Sequence, residues 1–188
     1  MNTPNKLTTL RFLIAPLFFI SFVYGGKWGK LIALILCGII ELSDFFDGLM
    51  ARRYKQITDF GKIFDPFADS LARFTYFITF LTAGLMPGWM VLIIFYRDST
   101  VSVIRLVASL RGEVVAARIS GKIKAEAQAF GVLGVLFLTN IKNLFNVTYK
   151  FNLNTLIYYI FLFITLVTLY SAIDYLIGNF HHIKKIKK

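Results

Sequence analysis

Six long apolar stretches follow one another along this chain, with short polar or basic connections between them. They run about 11–25, 30–51, 61–84, 88–110, 126–141 and 154–178. Lengths near 20 residues are what an α-helix needs to cross the hydrocarbon core of a bilayer. In that medium every backbone amide must pair within its own segment, which restricts such a pattern to helices. The composition agrees: 57% of residues are hydrophobic and 16% charged, more apolar and less charged than a soluble domain. The expectation is an all-α polytopic membrane protein of six transmembrane helices, forming a single domain over residues 1–188. Residues 1–10 are polar to amphipathic. Thr3-Pro4-Asn5 opens a short interfacial segment whose Leu7 and Leu10 rest on the membrane surface.

The formal net charge of +11 invites a nucleic-acid partner. The distribution argues against one, because the basic residues gather between apolar stretches and at the C-terminus. Such clusters orient a membrane protein and attract anionic lipid. An even number of spans puts both termini on one side. That side carries Lys6, Arg11, Arg52, Arg53, Lys55, Lys62, Arg111, Arg118, Lys122, Lys124, Lys184, Lys185, Lys187 and Lys188, against Lys27, Lys30, Lys142 and Lys150 on the other. The bias places both termini in the cytoplasm. The first apolar stretch ends at Tyr24-Gly25-Gly26 without a small-residue cleavage site, so it is expected to stay as the first span. Cys37 is the single cysteine and cannot form an intrachain disulfide.

Residues 44–69 read DFFDGLMARRYKQITDFGKIFDPFAD. Carboxylates beside a bilayer are costly and mark function. Residues three and four apart share a helix face, so Asp44, Asp47, Gly48 and Ala51 line one face of the second span. Asp65 and Asp69 share a face of the third, with Gly61 one turn before. A short connection is expected to make these helices antiparallel neighbours. Four carboxylates so placed need cations, and hard oxygen ligands select Mg²⁺, Mn²⁺ or Ca²⁺ over zinc. Two bridged ions suit phosphoryl transfer. Gly48 and Gly61 let a ligand approach the backbone. Arg52 offers a fixed cation to a pyrophosphate. The plainer reading is a packing network of these acids with Arg52, Arg53, Arg73 and Lys62.

The spacing D-x2-D-G-x2-A-R-x8-G-x3-D-x3-D is filled by Asp44, Asp47, Gly48, Ala51, Arg52, Gly61, Asp65 and Asp69. It resembles the signature of the CDP-alcohol phosphatidyltransferases. The resemblance implies a six-helix, usually dimeric, integral membrane enzyme. Such an enzyme transfers a phosphatidyl or related group from a CDP-linked donor to an alcohol, releasing CMP. It further implies Mg²⁺ or Mn²⁺, two ions, held by Asp44, Asp47, Asp65 and Asp69. Asp69 would also be the general base on the acceptor hydroxyl. Gly48, Ala51, Arg52 and Gly61, with Asn5 and Thr8, would contact the CDP part.

Further stretches look like one branch of that family, the phosphatidylglycerophosphate synthases. They are Pro4-Asn5-Lys6-Leu7-Thr8 with Arg11 and Pro16, Thr58 to Lys62 running into Asp65 to Asp69, and Arg97 to Gln128. This implies transfer from CDP-diacylglycerol to glycerol 3-phosphate in a bacterial inner membrane. The acceptor phosphate would meet Arg105, Arg111, Arg118, Lys122 and Lys124. Arg97 and Asp98 lie deeper and are expected to pair structurally. Ser70, Asp98 and the Ala125-Glu126-Ala127 run depart from the branch. They keep open the same chemistry on inositol phosphate, serine, choline or phosphatidylglycerol. A small ion-coupled transporter is the reading from another class. The last two spans carry little beyond hydrophobicity.

Overall fold

In a computed structural model, residues 3–54, 59–110, 118–145 and 152–179 are described, with side chains for 11–42, 70–108, 118–144 and 152–179. Six α-helices make up the described residues: α1 (Thr3–Tyr24), α2 (Gly26–Tyr54), α3 (Asp59–Thr82), α4 (Gly88–Leu110), α5 (Ile119–Phe145) and α6 (Leu153–Gly178). No strand occurs among them. Short connections make successive helices run in opposite directions. The ends of α2, α4 and α6 therefore lie with the starts of α1, α3 and α5. This end carries the aspartates.

The principal packing pairs form a closed ring in the order α1, α2, α5, α6, α4, α3. Among the described residues α2 and α3 flank α1 rather than packing chiefly on each other, which modifies the expected neighbour pair. The α1–α2 turn is tight because it is glycine-rich. Gly26 sits at φ 59, where L side chains are strained. The amides of Gly25 and Gly29 bond to Ser21 O (3.0 Å) and Gly25 O (2.8 Å). A Cβ on Gly29 would collide with the Ser21 carbonyl. α6 starts at the N-cap Asn152, whose side chain accepts from the Asn154 amide at 3.0 Å.

Hydroxyl groups inside the helices satisfy themselves locally. Thr75, Thr79, Thr139 and Thr165 each donate to the carbonyl four residues back, at 2.6–2.9 Å. Between helices, the Asn140 amide donates to Lys30 O (3.0 Å), tying α5 to α2. Gln128 donates to Thr168 (3.3 Å), tying α5 to α6.

The half of the bundle away from the aspartates is filled with aromatic rings. Phe18 meets Tyr76 edge-on at 4.8 Å, Phe22 meets Phe80 at 5.5 Å, and Phe80 meets Phe161 at 5.2 Å. Phe18, Phe77, Phe80 and Phe161 are fully buried. Outside, apolar side chains stay exposed in rows: Leu13, Leu17 and Ile20 on α1; Ile32, Ile35 and Ile39 on α2; Phe163, Leu166, Tyr170 and Ile173 on α6. Among the described residues one helix is by itself long and apolar enough to cross a membrane, Leu153–Gly178, with mean hydropathy 2.1. Arg11–Tyr24 is a shorter apolar helix.

Two boundaries differ from the sequence expectation. Residues 3–10 continue α1 instead of forming a separate interfacial segment. α5 begins at Ile119, not near 126. Its first turns are polar and read as connection by hydropathy, yet Ser120 and Lys124 find partners on neighbouring helices.

Candidate active site

Asp44, Asp47, Gly48, Ala51 and Arg52 lie on the last three turns of α2, and Gly61, Asp65 and Asp69 on the first three turns of α3. Helical register puts Asp44, Asp47, Gly48 and Ala51 on one face, and Asp65 with Asp69 on another. The side chains of these eight, and of Asn5 and Thr8 on α1, lie outside those described; Arg111 lies outside the described residues altogether. Where side chains are described, no group of three or more His, Cys, Asp or Glu is close enough to hold a metal ion. The donor chemistry of residues 44–69 fits a hard divalent ion: the four signature carboxylates stand with Asp59 in a stretch that has no Cys or His.

Across the same end, α4, α5 and α6 build a polar interior. Lys124 Nζ donates to both oxygens of Asp98, at 2.7 and 2.8 Å. Arg97 Nη1 donates to Asp98 at 3.0 Å, and Arg97 Nη2 to Ser171 Oγ at 2.7 Å. Arg97 and Lys124 side chains are only 9% and 4% exposed, so two buried cations share one carboxylate. Among the described residues Arg97 Nε has no hydrogen-bond partner. Gly121 keeps room for the guanidinium, since a Cβ there would stand 3.4 Å from Arg97 Nη2. The expected Arg97–Asp98 pair is present, with Lys124 as a third member.

A second group sits at the mouth. Arg118 Nε and Nη2 each donate to one oxygen of Asp174, both at 2.7 Å. This bidentate fork is the strong form of the ion pair. Its hydrogen bonds raise the Arg118 pKa further, so the group is a permanent cation. Ser120 Oγ also donates to Asp174. The guanidinium lies over Gly178, where a Cβ would overlap Nη1. One turn above, the Arg105 guanidinium stands 5.8 Å from the Tyr175 ring centre, a cation–π contact. Lys122 and Glu126 are exposed on α5.

The structure thus brings Arg105, Arg118 and Lys124 to one end of the bundle, two of them already held by carboxylates. Asp174, Ser171, Tyr175 and Ser120 are the partners that spacing did not reveal. Asp174 was nonetheless visible as the one carboxylate in the otherwise apolar residues 153–178. The expectation that the last spans add little beyond hydrophobicity is corrected here: α6 supplies Ser171, Asp174 and Tyr175 to Arg97, Arg118 and Arg105, and α5 supplies Lys124 to Asp98.

The sequence profile of the CDP-alcohol phosphatidyltransferases matches residues 1–170, which take in the aspartate helices and the α4–α5 cations. The chain belongs to the CDP-alcohol phosphatidyltransferase family. Relatives named CDP-diacylglycerol–glycerol-3-phosphate 3-phosphatidyltransferase include one from Bacillus subtilis (strain 168), 37% identical over 147 residues, 72% of this chain and 76% of that protein. Another, from Rickettsia felis, is 31% identical over 171 residues, 90% of this chain and 92% of that protein. A Mycobacterium tuberculosis relative named probable phosphatidylglycerophosphate synthase is 34% identical over 134 residues, 70% of this chain and 64% of that protein. This CDP-alcohol phosphatidyltransferase is therefore an enzyme, and the transporter reading is set aside.

Proposed function

We propose that this CDP-alcohol phosphatidyltransferase moves the phosphatidyl group of CDP-diacylglycerol to glycerol 3-phosphate, giving phosphatidylglycerophosphate and CMP. The observation that carries this is the Rickettsia felis relative so named, aligned over 90% of this chain. The buried and mouth cations support a phosphorylated acceptor rather than choline or serine. Arg97, Arg105, Arg118 and Lys124 outnumber Asp98 and Asp174, which leaves a positive balance for a phosphate.

In this reading Asp44, Asp47, Asp65 and Asp69 hold Mg²⁺ or Mn²⁺, two ions. These ions would polarise the phosphoryl group and neutralise charge on the departing CMP. Asn5, Thr8, Gly48, Ala51, Arg52 and Gly61 seat the CDP half, the glycines allowing close backbone approach and Arg52 facing the pyrophosphate. Asp69 takes the proton of the acceptor hydroxyl as its oxygen bonds to phosphorus and the bond to CMP breaks. Arg105, Arg111, Arg118, Lys122 and Lys124 hold the acceptor phosphate. Asp174 and Asp98 fix two of those cations in place.

The six helices are six spans. The rows of exposed Leu, Ile and Phe on α1, α2 and α6 support this, since a water-facing surface does not carry apolar rows of that extent. The site and both termini face the cytoplasm of a bacterial inner membrane in this reading, which the basic bias of the aspartate end supports. The working unit is a homodimer, as the family resemblance implies.

The test is purified protein with CDP-diacylglycerol, Mg²⁺ or Mn²⁺ and a panel of alcohols, following CMP. Turnover with glycerol 3-phosphate is expected. Turnover with another alcohol and none with glycerol 3-phosphate overturns the acceptor.

A further inference from the structure

The end opposite the aspartates holds a second charged feature. A cleft of about 130 Å³ opens there between the α1–α2 turn, the α3–α4 turn and the α5 and α6 ends. It has room for roughly four waters' volume, the scale of a phosphate group with little beside it. Lys30 and Lys142 stand over it, and Phe22, Leu85 and Ile157 form apolar walls. Lys30 is half-buried and does not reach outward. Its ammonium lies 5.8 Å from the centre of the Phe22 ring, on the neighbouring helix.

No carboxylate balances these cations. Residues 1–40, 70–97 and 127–173 contain neither Asp nor Glu, and every turn at this end falls within them. The end is also ringed by aromatic side chains: Tyr24 and Trp28 flank the α1–α2 turn at 75% and 68% exposure, and Trp89 opens α4. Exposed Trp and Tyr collect at the headgroup level of a bilayer. A cationic cleft between helix ends at that depth sets two ammonium groups at the level where lipid phosphates lie.

We infer that this cleft binds the phosphate of an anionic phospholipid from the leaflet opposite the active site. The inference rests on the six-span reading. Lys30 and Lys142 share the phosphate charge, and the acyl chains lie along the exposed apolar rows outside. The site is separate from the donor and acceptor sites, because the aromatic core stands between them.

The experiment is native mass spectrometry of the full chain in detergent, titrated with an anionic phospholipid (phosphatidylglycerol) or a zwitterionic one (phosphatidylcholine). Wild type is expected to retain one anionic lipid in preference. Lys30→Gln with Lys142→Gln should bind it roughly thirtyfold more weakly, the loss of two surface cations. CMP release should be unchanged, which reports intact folding and an undisturbed active site. Lys30→Arg with Lys142→Arg should restore the preference. An unchanged anionic preference in the Gln pair overturns the site. So does displacement of the lipid by millimolar inorganic phosphate, which would make it a free-anion site. A chain that stays soluble without detergent and retains neither lipid overturns the six-span reading itself, and the inference with it.

Discussion

Removing the Asp98 carboxylate tests whether the polar interior holds the helices together. Asp98→Ala deletes the two bonds from Lys124 and the one from Arg97. Arg97 keeps Ser171; Lys124, 4% exposed, is left buried without its carboxylate. Hydrogen bonds between helices in a bilayer average only about 0.6 kcal/mol each, which for the two from Lys124 gives about 1 kcal/mol. A buried charge stripped of its partner costs more, about 3–5 kcal/mol. Burial of Lys124 favours the second estimate, so about 3 kcal/mol is the expected loss. For a chain of this size that lowers Tm by about 6–12 °C. The assay is thermal unfolding in detergent of four proteins: wild type, Asp98→Ala, Lys124→Met and the double variant. The double variant should recover the Lys124 part of the loss, because an apolar side chain of similar length needs no partner, while Arg97 keeps only Ser171. A single variant melting within about 2 °C of wild type, or a double variant in which the losses add, refutes the coupling.

Other perturbations have sharper local readouts. Gly29→Ala puts a methyl against the Ser21 carbonyl, which the backbone cannot yield; about 3 kcal/mol of destabilisation is expected in the same melt. Gly178→Ala should push Arg118 off Asp174, raising KM for the acceptor while kcat holds; an unchanged KM would detach Arg118 from the acceptor. Asp174→Asn should act in the same direction but more mildly, since it keeps the shape and loses the charge. Asp69→Asn should abolish CMP release while CDP-diacylglycerol binding persists in an equilibrium binding assay; full activity would remove the base assignment.

The helices were legible because apolar length alone announces them, and α4 and α6 fall almost where the hydropathy places them. The start of α5 was not, because Ser120 and Lys124 look like part of a connection until their partners are seen. Those partners are 26 and 54 residues away, beyond any local spacing. The aspartate signature was legible for the opposite reason: all eight of its positions fall within residues 44–69, and two helix faces display them. The cations proposed for the acceptor occupied an intermediate position. Their end of the bundle followed from the charge bias, but the anchoring of Arg118 by α6 and of Lys124 by α4 required the fold. Asp174 carried the one available hint, a carboxylate in an apolar stretch.

The aromatic packing of Phe18, Phe22, Phe80 and Phe161 has an electrical consequence. It plugs the half of the helix ring that lies away from the aspartates. With the aspartate end as the proposed site, ions, protons and CMP would enter and leave from that end alone. On the proposed six-span reading, turnover in sealed vesicles should therefore neither dissipate a membrane potential nor respond to one.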